Sequence, residues 1–244
     1  MTDGWLSLNH WRSALRDPGL RLLLASVLVA VAALSSVAFF ADRVERALRL
    51  QGAALMAADL VVEQGAAIPQ DWTDKARTLG LRSARMVSFP SVVIAGERPL
   101  LVQVKAVETP YPLRGRLRVD TADGEVGHVP GTGEAWLEGR LRDRLDVTMG
   151  ETEISLGEIR LRAAGILRDE PDRGGNLFQL APRLMIGYDD ALRSGLLGPA
   201  SRVKYRFLVA GEAEPLRVMR AWLSTRLRPG AGIADLENAR PELR

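Results

Sequence analysis

Residues 22–41 read LLLASVLVAVAALSSVAFFA: twenty positions without a charge, of which only Ser26, Ser35 and Ser36 are polar. At about 1.5 Å of rise per residue, such a helix covers about 30 Å, the thickness of a bilayer's hydrocarbon layer. Arg21 stands just before the run, and Asp42 and Arg43 just after it. A helix buried in a globular core would carry a polar stripe; this one has none. A cleavable signal peptide is the better rival, because Ser36-Val37-Ala38 offers a small-residue cleavage pattern. The apolar run exceeds the roughly 7–15 residues of such peptides, however. Residues 22–41 therefore read as an uncleaved transmembrane helix.

The flanks follow from this span. Trp5, Leu8, Trp11 and Leu15 recur at spacings of three and four, so residues 1–21 read as an amphipathic leader suited to the headgroup layer. Arg12, Arg16 and Arg21 before the span balance Arg43, Arg46 and Arg49 after it. Charge counting alone thus leaves the orientation tied. A short leader with nothing to fold is easier to leave inside, which favours a cytoplasmic N-terminus. On the other side, Val44, Ala47, Leu48, Gln51, Leu55 and Ala58 mark one face of a continuing helix. Residues 42–58 are predicted to be a stalk, with Val44, Leu48 and Leu55 on that face. Gly52 costs such a helix only about 1 kcal/mol.

Past the stalk the pattern is that of a folded α+β domain. Residues 59–63 read as a strand, and Pro69–Leu79 as a helix with proline near its start, where the missing N–H does no harm. Gly80 ends it. Arg85–Ile94 and Leu100–Val107 are rich in β-branched residues, with Gly96 and Pro99 marking the turn between them. From Thr109 to Pro199 glycine and proline become frequent and apolar runs short. There, Asp120–Gly133 reads as a mobile loop, Gly139–Leu145 as a short helix, and Glu153–Leu167 as a hairpin turning at Gly157-Glu158. The earlier order returns with Arg202–Ala210 as strand, Glu214–Leu227 as helix and Gly232–Leu236 as strand. Strand–helix–strand at both ends predicts a split β-α-β sandwich carrying a mainly β insertion.

Composition narrows the chemistry. The 244 residues carry 33 Lys+Arg against 30 Asp+Glu, a formal net charge of +3. All but three of the cations are arginine, interleaved with acids as in Arg140-Leu141-Arg142-Asp143-Arg144. A nucleic-acid binder gathers its cations on one face, so no nucleic-acid partner is expected. The absence of cysteine removes disulfides, thiolate nucleophiles, cysteine-held zinc and iron–sulfur clusters. The two histidines, His10 and His128, fall on opposite sides of the span, and neither a metal nor a cofactor is expected. None of Lys75, Lys105 and Lys204 follows a glycine, which excludes a Gly-Lys-Ser/Thr phosphate cradle. Gly131-Thr132-Gly133 is a bare G-x-G, equally a plain loop. No Gly-x-Ser-x-Gly elbow or spaced Asp/Asn calcium loop is present.

The densest cluster of chemistry-bearing residues is Glu170-Pro171-Asp172-Arg173-Gly174-Gly175. Paired carboxylates beside an arginine could serve acid–base catalysis. Without a nucleophile or pocket-forming aromatics nearby, a charged hexamer punctuated by proline and glycine reads as a solvent-facing turn with a local ion pair. No catalytic residue and no enzyme activity are assigned.

A series of blocks is more specific. Gly165-Ile166-Leu167 leads through Glu170-Pro171-Asp172-Arg173-Gly174 and Phe178 to Ala181-Pro182-Arg183-Leu184-Met185, then to Gly195-Leu196-Leu197, Ser201-Arg202-Val203 and Tyr205-Arg206. Upstream stand Phe39-Phe40-Ala41-Asp42-Arg43-Val44, Ala57-Ala58-Asp59-Leu60, Val104-Lys105-Ala106-Val107, Tyr111-Pro112-Leu113-Arg114-Gly115 and Trp136. In order and number these blocks resemble the FtsX/MacB-type ABC-transporter permeases, within them the YbbP-like branch, over nearly the whole chain. One departure is Leu145-Asp146-Val147-Thr148-Met149-Gly150-Glu151, where the family pattern is Leu-Gly-Leu-x-x-Gly-Asp; the glycine-dependent helix end is altered.

The resemblance implies a MacB-type outer domain. Its porter-like α/β part would comprise residues 59–108 and 200–236, and its inserted mainly β part residues 109–199. Family-motif positions Glu170, Pro171, Asp172, Arg173, Gly174, Pro182 and Arg183 would have structural roles. The resemblance also implies a bacterial inner-membrane location with a cytoplasmic N-terminus and a periplasmic domain. The implied partners are an ABC ATPase subunit, the lipid bilayer and the rest of a permease, with further membrane helices and a second outer domain. Residues 237–244 would lead into a second span. Work would pass by mechanotransmission from the separate ATPase, on hydrophobic or lipid-derived cargo. The alternative is a single-span, membrane-anchored periplasmic binding or sensory module.

Overall fold

The computed structural model describes residues 18–173, 181–198 and 202–235. The amphipathic leader positions from Trp5 to Leu15, the motif residues Gly174 and Phe178, and the stretch 237–244 lie outside the described residues. The chain divides into two compact units, Met1–Leu50 and Gln51–Arg244.

One helix, α1 (Pro18–Met56), unites the predicted span and the predicted stalk in 39 residues. Its segment Arg21–Val44 is long and apolar enough to cross a membrane, and none of it is buried within the protein. The helix stops two residues short of the predicted stalk end. Ala57 turns left-handed (φ 59°), and its carbonyl accepts the N–H groups of Leu113 and Arg114 at 3.0 and 2.9 Å. Ala58 is therefore a core residue and not part of a helix face; both alanines are fully buried.

Eleven strands among the described residues form one sheet: β1 (Leu60–Gln64), β2 (Arg82–Ala95), β3 (Arg98–Val107), β4 (Arg118–Thr121), β5 (Gly124–Val126), β6 (Glu134–Glu138), β7 (Glu153–Leu156), β8 (Ile159–Asp169), β9 (Arg183–Gly187), β10 (Lys204–Ala210) and β11 (Gly232–Asp235). Its order is β11-β1-β10-β2-β3-β9-β6-β8-β4-β5, with β7 bridging β2 and β8. The remaining helices are α2 (Gln70–Thr78), α3 (Gly139–Leu145), α4 (Tyr188–Arg193) and α5 (Ala213–Ser224). The fold is α+β as expected. β1 and β2 are joined through α2 and flank β10, while β10 and β11 are joined through α5 and flank β1. These are two interlocked split β-α-β units. The antiparallel ladder between them is long; Lys204–Ala210 pairs with Ser88–Arg82. Parallel pairs β3–β9 and β6–β8 carry the same sheet onward through residues 109–199.

The two faces of the sheet are covered differently. One face packs all four short helices: Trp72 and Ala76 of α2, Leu141 and Leu145 of α3, Tyr188 and Ala191 of α4, and Met219 and Leu223 of α5 share a core with Val104, Leu137, Ile186 and Phe207. Trp72 stands edge-on to Phe207, ring centres 5.7 Å apart. On the other face Ala57, Ala58, Tyr111, Leu113, Leu117 and Trp136 close a second core over Met86, Val107 and Met185. Residues 109–117 and the residues just after α1 cover this face. Backbone packing is tight here: a Cβ on Gly165 would come within 2.8 Å of the Trp136 ring and 2.7 Å of Val119.

Three local readings are corrected. Pro99 is a β3 residue opposite Ile94, and the hairpin turns at Gly96 and Glu97 instead, with Gly96 at φ 58°. Asp120–Val126 is no open loop but part of the β4–β5 hairpin, and the Trp136 indole N–H donates to the His128 carbonyl at 3.2 Å behind it. The altered family turn ends its helix without glycine: Asp146 caps α3 in the left-handed region at φ 55°, ψ 51°.

Candidate functional site

Alternation along β3 sets the site. Val102, Val104 and Ala106 point into the helix-covered core, so Lys105 must emerge on the opposite face. It stays buried there, its side chain 4% exposed. A lone ammonium in such a place is untenable unless paired and hydrogen-bonded, and Lys105 is both. Its Nζ donates to Glu170 Oε1, to Asp172 Oδ1 and, at 2.7 Å, to the Tyr111 hydroxyl. These three donations use all three of its protons.

The partners are equally enclosed. Glu170 directly follows β8 with its side chain 0% exposed, and its Oε2 accepts from Arg183 Nη1 at 2.7 Å. Asp172 sits in a single 3-10 turn, Pro171–Arg173, with its side chain 6% exposed. Tyr111 donates its hydroxyl proton to Asp172 Oδ1 at 2.5 Å. Two cations thus face two carboxylates through shared hydrogen bonds. This is the arrangement that repays desolvation. Glu170 and Asp172, read from sequence as part of a solvent-facing turn, are therefore members of a buried ion-pair centre. Its acids bind cations from β3 and β9, which local sequence cannot display.

Electrostatics follow the geometry. Burial pushes the Asp172 carboxyl up, but the charge and hydrogen bond of Lys105 and the Tyr111 hydroxyl outweigh it and hold the group below its ordinary value. Burial, together with the Asp172 and Glu170 charges, raises the Tyr111 hydroxyl well above its own. Arg183 is drawn down by burial, but Glu170 more than restores it, leaving its guanidinium raised. None of these groups is poised near neutrality to move a proton. Among the described residues no cluster of three or more His, Cys, Asp or Glu could hold a metal ion.

The centre opens on one side. Asp172, Arg206 and Glu63 line a groove of about 320 Å³ with Leu55, Met56, Val61 and Ile233. Arg206 Nε donates to Glu63 Oε2 at 2.7 Å while its Nη1 lies 3.9 Å from Asp172 Oδ2. Burial raises the Glu63 carboxyl, but Lys204 and Arg206 hold it below its ordinary value.

The sequence-selected residues are thus divided in space. Glu170, Asp172 and Arg183 come together at the centre, Pro171 and Arg173 bound the turn that carries Asp172, Pro182 precedes β9, and Gly174 lies outside the described residues. Val44, Leu48 and Leu55 lie on α1; Val44 and Leu55 are exposed, and Leu55 reaches the groove. Lys105, Tyr111, Arg206 and Glu63 complete the centre and its groove, and local sequence does not mark them as site residues. Only a faint signal exists for Lys105: it is the one charge in the run Val104–Val107 of an otherwise apolar strand end.

Comparison with known proteins defines the class first. The fold matches the periplasmic region of MacB from Actinobacillus actinomycetemcomitans with a TM-score of 0.50, over 76% of this chain and 94% of that one, at 10% identity. The extracellular domain of the noncanonic ABC-type transporter YknZ from Gram-positive bacteria aligns at a TM-score of 0.48, over 72% of this chain and all (100%) of that one, at 8% identity. On the MacB match, the sheet unit has the fold of a MacB-type periplasmic domain.

The particular relative comes from sequence. The chain is 34% identical over 221 residues to the uncharacterized ABC transporter permease YbbP of Escherichia coli (strain K12), a match covering 91% of this chain. It spans 26% of that relative's length. No family model matches the chain. The resemblance to FtsX/MacB-type permeases is supported by both comparisons.

Proposed function

We propose that the chain is the anchoring span and an outer domain of an ABC exporter permease in the bacterial inner membrane. One observation carries the reading: an unburied apolar helix, Arg21–Val44, belongs to the same chain as a sheet of MacB periplasmic fold. On this reading the N-terminus is cytoplasmic and the sheet unit periplasmic. Residues 59–108 and 200–236 form its porter-like part and carry 109–199 as an insertion. ATP is bound and hydrolysed by a separate ATPase subunit, and other permease segments complete the pathway. The chain itself contributes no catalytic group. Its part is mechanotransmission: α1 continues as helix to Met56, and a stiff element of this kind transmits displacement that a loop would absorb. The cargo is hydrophobic or lipid-derived, in keeping with the YbbP-like resemblance.

The test is Leu48→Pro in the full-length permease. Proline removes a helix hydrogen bond and clashes with the preceding turn, at about 3 kcal/mol or more. Transport is expected to fail while ATP binding by the partner subunit persists. Unchanged transport would remove the stalk from the mechanism. Full function in cells lacking the ATPase would favour an anchored binding or sensory module instead.

A further inference from the structure

We propose that Asp172 is the node at which two arms leaving the end of α1 meet the strand ends of β3, β8 and β9, so that the helix end and those strands are energetically coupled. The use of this coupling rests on the exporter reading; the coupling itself is a property of this chain.

The first arm is the segment 108–114. Its Leu113 and Arg114 N–H groups hold the Ala57 carbonyl. The Arg114 guanidinium grips Asp59 through Nε at 2.9 Å and Nη2 at 2.7 Å, and Asp59 also accepts the Gly211 N–H at 3.1 Å. Three residues before Arg114, Tyr111 donates to Asp172 Oδ1. One short segment is thus fixed to the helix exit at one end and to the node at the other. The second arm is β1, which begins at Leu60, just after that exit. Its Glu63 holds Arg206, and Arg206 stands 3.9 Å from Asp172 Oδ2.

Each Asp172 oxygen therefore serves a different arm. Behind it, Lys105 of β3 joins Asp172 to Glu170 at the end of β8, and Glu170 is joined to Arg183 at the start of β9. Arg206 supplies a discrete element. It is hydrogen-bonded to Glu63, and a movement of about 1 Å would give it to Asp172 instead. The adjoining groove, walled by Leu55, Met56, Val61 and Ile233, leaves room for that exchange. Coupling is carried by elements with two arrangements rather than by contact alone.

The experiment is hydrogen exchange on the full chain in detergent micelles, comparing wild type with Asp59→Asn at the helix exit and Tyr111→Phe at the node. Asp59→Asn is expected to speed exchange at least threefold at residues 168–170 and 183–185. Tyr111→Phe is expected to do the same at residues 59–61. Both should leave the β4–β5 hairpin and α5 at wild-type rates. Should Asp59→Asn fail to fold, Arg114→Lys replaces it, since it keeps the charge and loses the forked grip. A further readout is non-additivity. Tyr111→Phe with Arg114→Lys should change the unfolding constant by at least threefold less or more than the product of the single effects, where independent sites multiply. Changes confined to the mutated arm, together with multiplicative effects, overturn the node. That result would leave the exporter reading standing, because its own test is Leu48→Pro.

Discussion

The two regions of this molecule obey opposite rules about charge. Along α1, Leu22, Leu28, Leu34 and Phe40 are exposed at 74, 71, 73 and 71%, and charge appears only at the ends of the apolar run. Across the sheet unit, apolar side chains line two cores while Lys105, Glu170 and Asp172 lie beneath the surface. In the first region an added charge is the error; in the second, a missing one is. The contrast teaches that each part is built for its own solvent. The helix awaits hydrocarbon, and the sheet unit compensates its buried charges internally.

The largest effect should come from removing one member of the buried centre. Lys105→Met leaves two enclosed carboxylates without their shared cation, and a loss of about 3–5 kcal/mol is expected in urea unfolding followed by tryptophan fluorescence. Arg142→Ala, which removes an exposed pair with Asp143 (side chains 45 and 62% exposed), should stay within about 0.5 kcal/mol. Equal effects would erase the distinction between buried and surface pairs.

Next in size is the reverse operation on α1. Leu34→Arg places a cation near the middle of the apolar run and should cost about 2.5–3.5 kcal/mol of membrane insertion. Carbonate extraction should then release the variant, whereas wild type stays in the pellet. Equal retention would mean that this run is not held in hydrocarbon.

Acidity sharpens the comparison further. Asp172 has a folded-state value below its ordinary 3.8. A depressed carboxyl adds stability that is complete above its unfolded value and is lost as pH falls through the folded one. The midpoint of wild-type thermal unfolding should therefore hold from neutrality to about pH 4 and fall below it. Asp172→Asn lacks this component, so its deficit relative to wild type should narrow in the same range. A constant deficit down to pH 2 would show that Asp172 is not the titrating group.

The smallest effect is a gain. Asp146 occupies the left-handed region, which glycine enters without steric cost, and its ion pair with Arg98 is long and exposed. Asp146→Gly should raise stability by about 0.5 kcal/mol, the left-handed penalty less the added chain entropy. A loss would show that the aspartate side chain contributes more than its backbone strain removes.

Much of the fold could be read locally. A charge-free run of twenty residues needs only helix geometry, and the split β-α-β order follows from alternating periods and from Gly80 as a stop. What escaped depends on partners far away in the chain. Lys105 meets Glu170 across 65 residues and Asp172 across 67, so Glu170-Pro171-Asp172-Arg173 looked self-contained. The β4–β5 hairpin escaped because three- and four-residue strands carry too little alternation to outweigh Asp120, Asp123 and Gly124. The end of α1 escapes local reading for a related reason. Ala57 and Ala58 favour helix, but tertiary hydrogen bonds from Leu113 and Arg114 claim the Ala57 carbonyl.

The measurement that bears most directly on function uses the absence of native cysteine. A single Glu97→Cys at the exposed β2–β3 turn would be probed with a membrane-impermeant maleimide, on spheroplasts and on inverted vesicles. Labelling of spheroplasts, with protection in inverted vesicles, is the outcome that follows from an anchored outer domain. Labelling in inverted vesicles alone would put the sheet unit in the cytoplasm and contradict the exporter assignment.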